Sequence, residues 1–93
     1  MVEARWNGLT IADSDETIVI EGNHYFPPDA IDWNLLEATS ETSFCPWKGT
    51  AHYFTVSVNG ALNPNAAWTY PDPTPEADRI RDYVAFWRGV DVG

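Results

Sequence analysis

The chain has 93 residues, 44% of them hydrophobic and 14% aromatic, with fourteen acids against five Lys/Arg for a formal net charge of −9. That length and apolar content exclude a disordered chain and a division into two domains, since halves would be too small to bury a core. The charge excludes a nucleic-acid binder, because phosphate contacts need basic surface, and no apolar run approaches membrane-spanning length.

The acids are unevenly placed. Residues 1–41 hold nine acids and one base, residues 42–93 five acids and four bases. A solvated acidic half beside a near-neutral working half is the expected division. The single cysteine, Cys45, forbids an internal disulfide, so five Trp, four Tyr and four Phe must fill the interior instead. A lone thiol suits a reducing compartment, and the first residues carry no basic and apolar signal sequence, so a cytoplasmic location is expected.

In chain order, Asn7-Gly8 between Arg5-Trp6 and Leu9-Thr10-Ile11 predicts a hairpin, because Asn and Gly accept the positive φ of tight turns. Asp13-Ser14-Asp15-Glu16 predicts the next turn, followed by the β-branched strand Thr17–Ile20, a break at Gly22-Asn23 and a short strand His24–Phe26 ended by Pro27-Pro28. Asp32 can cap one helical turn over Trp33–Glu37, with Ile31 and Leu36 spaced as a hydrophobic staple.

The longest predicted strand is Thr50–Val58, leading into a second Asn-Gly at Asn59-Gly60. Its alternation puts His52, Phe54, Val56 and Val58 on one face, Ala51, Tyr53, Thr55 and Ser57 on the other. A strand over Ala66–Tyr70 follows, then a helix opened by Thr74 as N-cap and Pro75, running to about Asp82 with Ala77, Ile80 and Val84 inward. Val84–Arg88 closes the pattern as a last strand before Gly89. The fold class is mainly β with a minor helical part.

The chemistry-bearing residues concentrate in Cys45-Pro46-Trp47-Lys48-Gly49-Thr50-Ala51-His52, which holds the only cysteine and the only lysine. A cation next to a thiol favours the thiolate, so Cys45 is either a nucleophile or, as free cysteine usually is, a small buried hydrophobe. The Pro/Gly frame would hold Lys48 in one place, where it could grip a carboxylate, phosphate or carbonyl, or simply pair with an acid. His52 is either a base or a buried, hydrogen-bonded core histidine. Tyr25, Trp47, Tyr53, Trp68, Tyr70 and Trp87 are large rings with polar handles, suited to core or pocket wall. His24, His52 and Cys45 have no metal-knuckle spacing, so no metal and no cofactor are expected.

Five segments carry a resemblance spanning nearly the whole chain. They are Trp6-Asn7-Gly8, Tyr25-Phe26-Pro27, Cys45-Pro46-Trp47-Lys48-Gly49 with Ala51 and Tyr53, Ala67-Trp68-Thr69-Tyr70-Pro71, and Tyr83-Val84-Ala85-Phe86-Trp87. In that order they resemble the domain-of-unknown-function 427 family, a bacterial-type family sometimes labelled nucleotidyltransferase-like. The resemblance implies a small, single-domain, β-tent-like arrangement of antiparallel sheets with one or two short helices. That outline is shared with methionine-sulfoxide reductase B and Mss-type domains. Zinc knuckles of β-tent relatives need paired cysteines, which Cys45 alone cannot supply. The sequence departs from the commoner pattern at His52, where a small residue is usual, and at Phe54, where Tyr is usual.

The nucleotidyltransferase label finds no support in the residues. Asp13-x-Asp15 lacks an upstream Gly-Ser and sits where a turn is expected, and no phosphate-loop glycine pattern occurs. Two function classes follow. One is a small-molecule site with Lys48 holding an anionic or carbonyl group and Cys45 as nucleophile or wall, the pair being the catalytic candidates if there is catalysis. The other is a non-catalytic interaction module, a homodimer joined through exposed aromatics or a sheet edge being one form.

Overall fold

A computed structural model describes residues 1–93 and contains nine strands in three antiparallel sheets, joined by three short 3₁₀ turns. The class is mainly β, as the sequence predicts. No helix in it is long and apolar enough to cross a membrane.

The hairpins follow turn chemistry. β1 (Val2–Trp6) and β2 (Leu9–Ser14) meet at Asn7 (φ 51°) and Gly8 (φ 83°), and Asn59 (φ 51°) with Gly60 (φ 81°) repeats the device later. Two successive positive-φ residues give a turn whose twist matches that of the strands. The break expected at Gly22-Asn23 is a third such turn, one residue earlier: β3 (Ile18–Ile20) and β4 (Asn23–Tyr25) are joined by Glu21 (φ 54°) and Gly22 (φ 80°). Glutamate is an unusual occupant of that first position, which favours Asn, Asp or Gly.

The main sheet has the order β5-β6-β7-β8, with β5 spanning Leu36–Cys45, β6 Gly49–Val58, β7 Ala61–Thr69 and β8 Val84–Phe86. β5 is a correction to the sequence reading, which assigned no strand there. Its middle, Glu37–Ser43, is polar on both faces apart from the exposed Ala38, as an edge strand allows, so no alternation betrays it. The predicted helical turn shrinks to Trp33–Leu35, with the Asp32 carboxylate accepting from the Asn34 N–H (3.2 Å). The predicted helix after Thr74 is a 3₁₀ turn over Pro75–Ile80, stopped short of Asp82, which has φ 63°. Its inward residues are as expected, Ala77, Ile80 and Val84 being fully buried.

Two core clusters flank the main sheet. One joins Phe54, Ala67, Val84 and Phe86 to Ala4, Ile11, Ala12, Phe26 and Ile31, with Phe26 edge-on to Phe86 at 5.7 Å. Phe26 also exchanges backbone hydrogen bonds with Val84 (2.8 and 2.9 Å), stitching the chain after β4 to the edge of the sheet. The second cluster gathers Ile20, Tyr25, Ala51, Trp68, Tyr70, Ala77, Ile80 and Ala85, with Cys45, Tyr53 and Tyr83 against it. Cross-strand pairing puts Tyr53, Trp68 and Ala85 in one row, so this second layer is the face opposite Phe54, Ala67 and Phe86.

Candidate functional site

The turn between β5 and β6 is built to immobilise one residue. Pro46 starts it, the Lys48 N–H closes it onto the Cys45 carbonyl (3.2 Å), and Gly49 follows at φ 111°. A Cβ on Gly49 would stand 3.2 Å from the Asp72 carbonyl oxygen, so both conformation and space require glycine. Thr74 anchors the turn from outside. Its N–H donates to the Lys48 carbonyl (3.1 Å), and its hydroxyl donates to the Trp47 carbonyl. Thr74 has the extended backbone of an N-cap, but its hydroxyl serves this turn and caps nothing.

Held in this way, Lys48 turns inward and is only 6% exposed. Its Nζ donates to Glu21 Oε1 and stands 5.3 Å from the Trp47 ring centroid and 5.6 Å from that of Tyr70. The ring faces are electron-rich and add attraction that a desolvated ammonium feels strongly. Glu21 is the opposite kind of partner, with a side chain 56% exposed on the tip of the β3–β4 hairpin. A buried cation is thus neutralised by a mobile-length carboxylate reaching in from solvent, off a turn residue in a costly backbone conformation.

Around this pair the aromatic rings form a continuous chain of contacts. Tyr25 meets Trp68 edge-on (6.1 Å, 89°) and lies 6.5 Å from Tyr70, Trp68 packs on Trp87 at 5.4 Å, and Trp87 on Tyr53 at 6.3 Å. Four of these rings have their polar handles paired. The Trp68 indole N–H donates to the Tyr25 hydroxyl (3.2 Å), the Trp87 indole N–H to the Asn65 carbonyl (2.7 Å), and Tyr53 and Ser43 share a hydroxyl bond (2.9 Å). The structure brings together Cys45, Lys48, Tyr25, Trp47, Tyr53, Trp68, Tyr70 and Trp87 on one side of the sheet. Cys45, half-buried at the end of β5, packs against this layer.

The electrostatics point one way. Burial pulls the Lys48 ammonium toward deprotonation, but the Glu21 hydrogen bond and the two tyrosine hydroxyls more than offset it, so its pKa is raised. Burial lifts the Tyr25 hydroxyl, and it lifts that of Tyr70 to about 12. The hydrogen bond and charge of Lys48 hold the Glu21 carboxyl below its usual range. An ammonium kept protonated is suited to gripping an anion and unsuited to attacking a carbonyl as a free amine.

A family model described as a domain of unknown function (DUF427) matches residues 1–92. The chain belongs to this family. No curated protein matches it.

Two residues of this DUF427 domain fall away from where the sequence pointed. His52 is exposed rather than buried in the core, and lies on the sheet face away from Cys45 and Lys48. The alternation that placed it beside Phe54 was right, but the core ends before reaching it. Asp13 continues β2, and the turn begins at Ser14, whose Oγ accepts from the Glu16 N–H (2.8 Å). No three His, Cys, Asp or Glu side chains converge as metal ligands. The aromatic layer itself encloses no cavity. The one cleft in the DUF427 domain, about 460 Å³, opens beside His52, Phe54 and Trp33. Glu21 is the site residue that the sequence did not single out. Its only local signal was a glutamate before Gly22, where a hairpin turn favours asparagine.

Proposed function

We propose that the Lys48 face binds a small molecule carrying a carboxylate, phosphate or polarised carbonyl, with the neighbouring rings as an apolar platform and Cys45 as part of its wall. The reading rests on the Glu21–Lys48 pair. A buried ammonium has one carboxylate partner, and that partner is exposed and stands on a strained turn. A ligand anion that takes the place of Glu21 on Nζ would leave Lys48 paired in the complex. The half-exposed rings of Trp47 and Trp87 would then receive the ligand's apolar part. Cys45 is within the same layer, so a thiol addition to a bound carbonyl is the chemistry to test should turnover be found.

Calorimetric titration with phenylacetate and with inorganic phosphate tests this reading, comparing the native chain with Lys48→Met and Glu21→Asn. Binding should vanish in Lys48→Met and tighten in Glu21→Asn, where the competing carboxylate is gone. Equal affinity in all three proteins would overturn it. Iodoacetamide alkylation of Cys45, with and without saturating phenylacetate, then reports whether the thiol borders the occupied site.

The second reading, a non-catalytic interaction module, draws on one observation: Phe44 is 74% exposed at the end of the edge strand β5, near half-exposed Trp47. An apolar rim on an open sheet edge is a pairing surface for a second copy. Light scattering across a concentration series distinguishes the readings, and Phe44→Ser should abolish any dimer seen.

A further inference from the structure

On the opposite side of the sheet from Lys48, the cleft of about 460 Å³ is lined by His52, Phe54, Trp33, Pro28, Pro71 and Asp82 among its residues. Its walls and its charges have different origins. Trp33, on the 3₁₀ turn after Asp32, stands edge-on to Phe54 of β6 at 5.7 Å, and its indole N–H is tied to the Pro28 carbonyl (2.9 Å). The two rings therefore form a fixed aromatic corner without help from a ligand. Pro28 and Pro71 add rigid apolar edges.

Asp82 is held at φ 63°, with its N–H donating to the Tyr70 carbonyl (3.2 Å). The cation next to it in sequence, Arg81, is already committed. It gives its guanidinium to the Asp78 carboxylate (2.8 Å) and the Pro71 carbonyl (3.1 Å), and stands 3.8 Å from Asp72. Asp82 makes no direct ion pair, although Arg81 lies within its field. Two acids next to other lining residues strengthen its field: Asp29 follows Pro28, and Asp32 precedes Trp33. Against these stand Arg81, which its own carboxylates neutralise, and His52, whose ring has no hydrogen-bond partner in the fold. A neutral imidazole accepts from an ammonium through its bare ring nitrogen.

An aromatic corner beside an unpaired carboxylate, in an acidic surround, is the complement of an organic cation. We propose that this cleft is a second binding site, for a small primary amine with an aromatic or aliphatic body. The body stacks in the Trp33–Phe54 corner, and the ammonium is held between Asp82 and His52. The site is independent of the Lys48 face in position and opposite to it in charge preference.

The test is a pair of probes of one shape and opposite sign, phenethylamine and phenylacetate, titrated against the full chain while Trp33 indole and His52 resonances are followed by NMR. Phenethylamine should shift both saturably, and phenylacetate neither. Asp82→Asn keeps the positive-φ residue favourable, since Asn tolerates that region, and should weaken phenethylamine about fivefold or more. Trp33→Ala should also weaken it, while leaving phenylacetate binding elsewhere on the chain unaffected. Equal shifts from both probes, absence of saturation at Trp33, or an unchanged affinity in Asp82→Asn would overturn the proposal.

Discussion

The two faces of the β5–β8 sheet solve burial in different ways. On one, Phe54, Ala67, Val84 and Phe86 meet Phe26, Ile11 and Ala12, side chains without a polar atom. On the other, Tyr25, Trp68, Tyr70 and Tyr53 bury rings whose N–H and O–H groups each need a partner, and a lysine is buried among them. The first face can be stable with nothing further required of it. The second is stable only while a set of specific bonds holds, and a layer of that kind is where a ligand can change the balance. The comparison separates a face held by apolar packing alone from one whose packing also depends on specific polar bonds.

The contrast can be broken most forcefully from the apolar side. Phe26→Ala removes a fully buried ring from the first cluster and should cost about 3–5 kcal/mol, read from urea unfolding. Gly49→Ala comes next. It forces a φ of 111° on a residue with a Cβ that meets the Asp72 carbonyl, and should cost on the order of 1–3 kcal/mol while loosening Lys48. Tyr25→Phe changes almost no volume but leaves the buried Trp68 N–H without its acceptor, for about 1–2 kcal/mol.

The aromatic face also predicts a pH limb that the apolar face lacks. Burial raises the Tyr25 and Tyr70 hydroxyls, so the folded chain keeps protons that the unfolded chain releases near pH 10. Stability should be full below about pH 10 and fall as pH climbs toward about 12, with Lys48 adding to the loss in the same direction. Thermal midpoints between pH 9 and pH 12 check this, and Tyr25→Phe should flatten the decline. A midpoint independent of pH across that range would contradict the burial argument. Glu21→Asn sets two effects against each other. It places a preferred residue in the turn but leaves the buried Lys48 ammonium without its carboxylate, so the thermal midpoint should fall by several degrees, and added phosphate should restore part of the loss.

How much of this was legible in the sequence depended on how local each cause was. Asn7-Gly8 and Asn59-Gly60 specify their hairpins within four residues, and the β6 alternation correctly sorted Tyr53 from Phe54 onto opposite faces. The Pro46–Gly49 frame and its lysine could be found because the turn chemistry and the unusual residue coincide. β5 escaped because a polar edge strand is defined by its partner β6 and carries no pattern of its own. The Glu21–Lys48 pair spans 27 residues, and only the fold makes them neighbours. The core alternative for His52 fails because alternation gives the face of a residue but not where along that face the covering elements stop. The cleft lies beyond that edge.

The pairing of β1 with a strand distant in sequence carries a consequence for the order of folding. β1 has β2 on one side and, on the other, β9 (Asp91–Val92), with Glu3 and Gly93 exchanging backbone hydrogen bonds of 3.1 and 3.0 Å. The two paired strands lie far apart in sequence, so closing the loop between them is entropically costly, and this pairing should form after the local hairpins. Until it does, one flank of β1 is a bare strand edge, open to pairing with a neighbouring copy.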